Sequence, residues 1–121
     1  MHWTYTDIAN DSMDTVIHEL GREYNFHPDE ASSAKIAYCN MKGGVAMGVI
    51  FHNPAIQWPA KPFRGKYAVK SWNTNGGYNS LYEDAVRFLN SLDNDTAFFA
   101  RAAYSNLEHG DSWLSIYYPS T

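Results

Sequence analysis

A chain of 121 residues, 45% of them hydrophobic and 16% aromatic, can bury one core but not two, and reads as a single globular domain over residues 1–121. The aromatic content argues against intrinsic disorder, and the lone Cys39 excludes an internal disulfide and a cysteine-based zinc finger. The net charge of −4 argues against tight nonspecific coating of DNA, yet it averages three unlike segments: residues 1–30 carry seven acids against Arg22, residues 31–82 carry six cations and no acid, and the rest carries six acids against two arginines.

The N-terminal stretch MHWTYTDIANDSMD is polar and acidic, unlike a secretory leader. No apolar run approaches the ~18 residues of a membrane-spanning helix. These features predict a soluble, cytoplasmic protein. A first helix is predicted from Met13, Val16, Ile17, Leu20 and Tyr24, which share one helical stripe, with its start near Thr6 to Asn10. Pro28-Asp29-Glu30 then suits the first turn of a short second helix reaching about Ala34.

Lys35 to Asn40 and Val45 to His52 read as a β-hairpin across Met41-Lys42-Gly43-Gly44. The unbroken apolar run Val49-Ile50-Phe51 marks a strand buried on both faces. Ala46 and Gly48 suggest that something, most simply a helix, closely covers one face. Residues 53–65, NPAIQWPAKPFRG, hold three prolines and form an extended loop. Connections of that length are commonly functional or mobile, and this one carries Ile56, Trp58 and Phe63, which need cover from the core or from a partner.

Lys66 to Trp72 alternates as a half-buried strand. Ser80 and Glu83 then form a capping box ahead of Leu81, Ala85, Phe88, Leu89 and Leu92, one face of an amphipathic helix. Asp93-Asn94-Asp95 reads as a turn. Thr96 to Tyr104 is ambiguous, since Phe98 and Phe99 favour strand and three alanines favour helix. Ser112 to Tyr118 alternates as a final strand that Pro119 should end. The order α-β-β-β-α-β-β defines an α+β domain with a mainly antiparallel sheet of about five strands and two helices packed on one face.

The segment from 58 to 80 concentrates the residues suited to binding. Lys61, Arg64, Lys66 and Lys70 are interleaved with Trp58, Phe63 and Trp72. Cations among stacking rings suit a planar anion such as a nucleotide or single-stranded nucleic acid. Asn75, Gly76, Gly77 and Ser80 add backbone donors at a helix start, where an anion is stabilised. The plainer reading, lysines solvating a strand and aromatics filling the core, outweighs this on sequence alone, because Gly-Gly turns are common and no Walker-type lysine follows.

His18-Glu19 lacks the second histidine four residues on that a zincin helix needs, so no metal site is assigned. No nucleophile motif is present, and no cofactor is implied. Thirteen Trp and Tyr with ten Asn resemble an interface composition more than the needs of a small core. The leading expectation is a non-enzymatic binding protein that occupies a macromolecular partner, most simply a protein, as inhibitors, immunity proteins and phage counter-defence proteins do. The alternative is a binder or sponge of a phosphate-bearing small molecule or nucleotide through residues 58–80, and the third reading is a small hydrolase without a recognisable motif.

Overall fold

The structure, a computed structural model, describes residues 3–8, 33–40, 46–74, 78–106 and 112–120. The predicted helix over Met13 to Tyr24, most of the short helix after it, and the turn at residues 41–44 lie outside the described residues. The elements are β1 (Thr4–Asp7), β2 (Ala34–Asn40), β3 (Ala46–His52), β4 (Lys66–Asn73), α1 (Tyr78–Ser91), α2 (Asn94–Phe99), β5 (Arg101–Asn106) and β6 (Ser112–Ser120). The fold is α+β and its strands pair antiparallel, as expected, but the six strands form two three-stranded sheets, ordered β1-β3-β2 and β4-β6-β5. Edge strand β2 packs beside edge strand β5, which brings the sheets together. None of the described helices is long and apolar enough to cross a membrane.

Strand β1 occupies residues assigned from the sequence to the approach of a helix. Trp3-Thr4-Tyr5-Thr6 is rich in β-branched and aromatic residues, which suit a pleated, half-buried surface. Pairing with β3 settles their conformation, with Tyr5 opposite Phe51.

One core joins both sheets to both helices. Trp3, Ala37, Val49 and Phe51 meet Leu81, Tyr82, Ala85 and Leu89 of α1, Ala97 of α2, and Leu114 and Ile116 of β6. Tyr82 is buried near its centre, 5.4 Å from the Tyr5 ring and 6.5 Å from that of Phe51. The side-chain oxygen of Asn90 on α1 accepts the Trp3 backbone N–H at 2.9 Å, fixing β1 against the helix. On the reverse face of the first sheet, Ile8, Ala34 and Ile50 form a second buried cluster with Ile36 and Tyr38 beside it. Val49, Ile50 and Phe51 are therefore buried on both faces. The close cover at Gly48 comes from side chains, because a Cβ there would stand 2.7 Å from Ile8 Cγ1 and 2.8 Å from Tyr38 Cδ2.

Helix α1 begins at Tyr78, so Ser80 lies exposed in its first turn and not at the cap. The ambiguous segment contains both predicted structures. Asp93 caps α2 by accepting the Thr96 backbone N–H at 2.8 Å, which holds its carboxyl below the usual value. Ala100 then turns extended and leads into β5. Strand β6 continues through Pro119 to Ser120. Beyond Tyr117 it has only β4 beside it, and proline is tolerated where a strand lacks a second neighbour.

Candidate binding face on the second sheet

The loop of residues 53–65 is held at several points. The backbone N–H of Asn53 donates to Ser33 O at 2.9 Å, and its side-chain oxygen accepts the Ala55 N–H at 3.0 Å in an Asx turn. The Asn94 side chain accepts from Gln57 N at 2.9 Å and donates to Gln57 O at 2.8 Å. Ile56 turns onto the core, whereas Trp58, next to the clamped Gln57, stays 70% exposed. At the far end of the loop, a Cβ on Gly65 would stand 2.9 Å from the Phe63 ring, so glycine there lets Phe63 fold back over the chain.

These anchors produce a run of rings in mutual contact. Trp58 lies 5.0 Å from Phe98, Phe98 lies 5.1 Å from Phe99, Phe99 lies 6.0 Å from Phe63, and Phe63 lies 5.0 Å from Tyr67. The Tyr67 hydroxyl donates to Phe99 O at 3.3 Å. The run therefore ties the loop and α2 to the start of β4.

Strand alternation sorts the rest. On β6, Leu114 and Ile116 point into the core, so Tyr117 points outward. Register places Val69 opposite Tyr117 and Tyr117 opposite Arg101, forming one outward row across all three strands. Ser71, Ser115 and Ala103 make the next row, with the two serine hydroxyls 2.8 Å apart. Large apolar side chains that face solvent among the described residues are Trp58, Tyr67, Val69 and Tyr117. All four belong to this loop and sheet.

The charge on these elements is of one sign among the described residues. The loop and the described residues of β4, β5 and β6 carry Lys61, Arg64, Lys66, Lys70 and Arg101 with no acid. All five are exposed, and none forms an ion pair among the described residues. By contrast, Arg87 on α1 is paired with Asp84. Lys66 and Lys70 lie on β4, an edge strand, where lysines also discourage edge-to-edge pairing.

The structure thus places Trp58, Lys61, Phe63 and Arg64, of the residues singled out from sequence, on the loop that borders this face, whereas Lys66 and Lys70 alternate with Tyr67 and Val69 and stand on the other side of β4, Lys70 opposite the core residue Ile116. Trp72 shares that side. It is half-buried, 5.9 Å from Phe88 of α1, and belongs to the core. Asn75, Gly76 and Gly77 lie outside the described residues, and Ser80 is exposed on α1. Sequence reading missed Tyr117, Val69 and Arg101 as members of one face. Strand alternation puts Tyr117 on one side of β6 with Trp113 and Ser115, but only long-range pairing reveals the row.

Lys35 was also missed. It is 6% exposed, its ammonium donates to Phe98 O, and its nitrogen lies 5.9 Å from the centres of both the Trp3 and Phe98 rings. Burial first, and the nearby Arg101 guanidinium second, push it down to about 7. Enclosed by rings and bonded to α2, it braces the two sheets from within. Among the described residues no three His, Cys, Asp or Glu side chains come together as a metal site.

The architecture is therefore a two-sheet α+β fold whose second sheet, among the described residues, bears exposed aromatics and no acid. No protein-family model, curated protein or solved structure matches the chain.

Proposed function

We propose that this is a non-catalytic binding protein that acts by occupying a macromolecular partner with the face formed by residues 53–65, β4 and the outward row of β6 and β5. The observation that carries the reading is the gathering of Trp58, Tyr67, Val69 and Tyr117 on one exposed surface. Fully burying a large apolar side chain is worth about 1.5–3 kcal/mol, and these four, 42–70% exposed, leave a part of that for a partner to recover on binding. Their ring clamps and loop anchors hold the surface in shape before contact, which lowers the ordering cost of association. Occupancy of this kind is how inhibitors and immunity proteins work.

A photocrosslinking group placed at Val69 tests the reading in extract from the source cells, with the same group at Arg87 as the control. A discrete adduct from position 69, absent from position 87 and lost in Trp58→Ala, supports it. Matching adduct patterns from both positions refute it.

Four exposed cations within ten residues, none in an ion pair among the described residues, favour a second reading, a phosphate-bearing small molecule bound at Lys61, Arg64, Lys66 and Lys70. A nucleotide that raises the melting temperature of the protein, but not that of Arg64→Ala or Lys70→Ala, supports it. Failure of every nucleotide to shift the midpoint removes it.

A further inference from the structure

We infer that the occupant of this face is a single-stranded nucleic acid, laid across the outward side of the second sheet with bases on Tyr117 and Tyr67 and phosphates on Arg101 and the loop cations Lys61 and Arg64. The inference rests on the binding reading given above and names its partner class. Three features of the face select that class. The first is charge. Although the whole chain has a net charge of −4, the loop and the outward side of the described strands carry Lys61, Arg64 and Arg101 and no acid, while Lys66 and Lys70 stand on the other side of β4 at its open edge. A phosphate backbone is the extended polyanion that such a surface complements.

The second is the disposition of the rings. Tyr117 is flanked in its row by Val69 on one side and Arg101 on the other. Tyr67 faces Pro119, two residues along β6 from Tyr117, so the two tyrosines are diagonal neighbours across adjacent strands. Diagonal pairs stand about 7–8 Å apart, far enough for each ring to receive its own base. Both rings are 42% exposed, and Trp58 extends the series at 70%. Base-on-ring stacking tolerates any sequence because every base offers a π-face.

The third is the floor beside the rings. Ser71, Ser115 and Ala103 are small, so their row lies low between Tyr117 and Trp113, which stands in the row beyond it with Asn73 and Ser105. A base seated on Tyr117 meets no bulky side chain in that direction before Trp113. An acidic protein loop would satisfy the cations but would leave the tyrosine faces without stacking partners. Duplex DNA keeps its bases stacked on one another and offers the rings nothing.

Fluorescence anisotropy with labelled single strands of thymidine and of uridine, beside a duplex and a polyglutamate peptide of equal charge, tests this on the full chain. The expected result is binding to single strands with weaker binding to duplex and peptide. Tyr117→Ala weakens single-strand binding about tenfold, and Tyr117→Phe, which keeps the ring, restores it. Arg64→Ala lowers the slope of log affinity against log salt by about 1. Arg87→Ala, on α1, leaves binding unchanged, and an unaltered melting temperature confirms that each variant is folded. Three results overturn the inference: no binding to single strands at low salt, equal affinity for polyglutamate, or full affinity in a folded Tyr117→Ala. If any of these occurs while Val69 still crosslinks a discrete protein, the binding reading stands and only its nucleic-acid form falls. Loss of the crosslink as well removes both.

Discussion

The side-chain amide of Asn94 and the backbone of Gln57 are joined by two hydrogen bonds, of 2.9 and 2.8 Å, so a residue in the first turn of α2 holds a loop 37 positions away in the manner of a strand pair. The loop has prolines at 54, 59 and 62 and little regular structure. This clamp immediately precedes Trp58. In Asn94→Ala the Gln57 amide should lose its protection against hydrogen exchange while amides in β3 keep theirs. Both bonds are exposed, so the global stability should fall by only about 1 kcal/mol in urea titration. Unchanged protection at Gln57 would show that the prolines alone fix the loop.

Gly65 bears on the same surface from the other end. A methyl group there meets the Phe63 ring at 2.9 Å and Ser120 O at 3.4 Å, so the ring must swing away from Tyr67 and Phe99. Aromatic pairs contribute about 0.5–1.5 kcal/mol beyond burial, and Gly65→Ala should destabilise by about that much. Because the strain acts through the ring, adding Phe63→Ala should cost less than the sum of the two single changes. Strict additivity would assign the effect of Gly65→Ala to the backbone instead.

Local pattern carried most of the fold and part of the face. The β2–β3 hairpin, the helix after the glycine turn and the final strand follow from periodicities that burial on one side enforces. Strand β1 did not follow, because the four residues Thr4–Asp7 gain their conformation from pairing with β3 across more than forty positions. The division into two sheets was equally non-local. For the face, Trp58, Phe63, Lys61 and Arg64 were legible as a cluster in the chain, whereas Trp72 went to the core and Lys66 and Lys70 fall on the same side of β4 as Trp72. Tyr117 and Arg101 joined the face through register, which no sequence window contains. Lys35 was legible in principle, since it shares the alternation of Ala37, but a lysine on a core-facing position is rare enough that the period alone does not commit it.

Gly48 sits where β3 meets both Ile8 and Tyr38. The carbons that a new methyl would strike are Ile8 Cγ1 at 2.7 Å and Tyr38 Cδ2 at 2.8 Å, both near the root of their side chains and hard to displace. Overpacking of this kind costs about 1–3 kcal/mol, which sets the expected loss for Gly48→Ala in urea titration. Ile8→Ala in the same chain should return part of that loss by opening the space. If the double variant is weaker than the sum of the single ones, the crowding lies elsewhere.

Lys35 makes stability depend on pH in a direction opposite to that of a paired lysine. In the unfolded chain it holds its proton up to the usual value near 10.5, whereas in the fold burial and Arg101 release it above about 7. Between those values the unfolded state binds more protons, so stability rises with pH, by at most about 1.4 kcal/mol per unit for a single group. Below pH 7 both states are protonated and the full penalty of a buried ammonium remains. His52 is pushed down by burial, and Asp93 is pushed down by its hydrogen bonds to Thr96, so both titrate below this window. Lys35→Met keeps a long side chain between the Trp3 and Phe98 rings but removes the titration. Urea unfolding from pH 6 to 10 should therefore show wild type gaining on the variant across pH 7 to 10 and running parallel to it below 7. Parallel curves throughout would mean that Lys35 keeps its charge in the fold, with Phe98 O and the two rings sufficing to hold it.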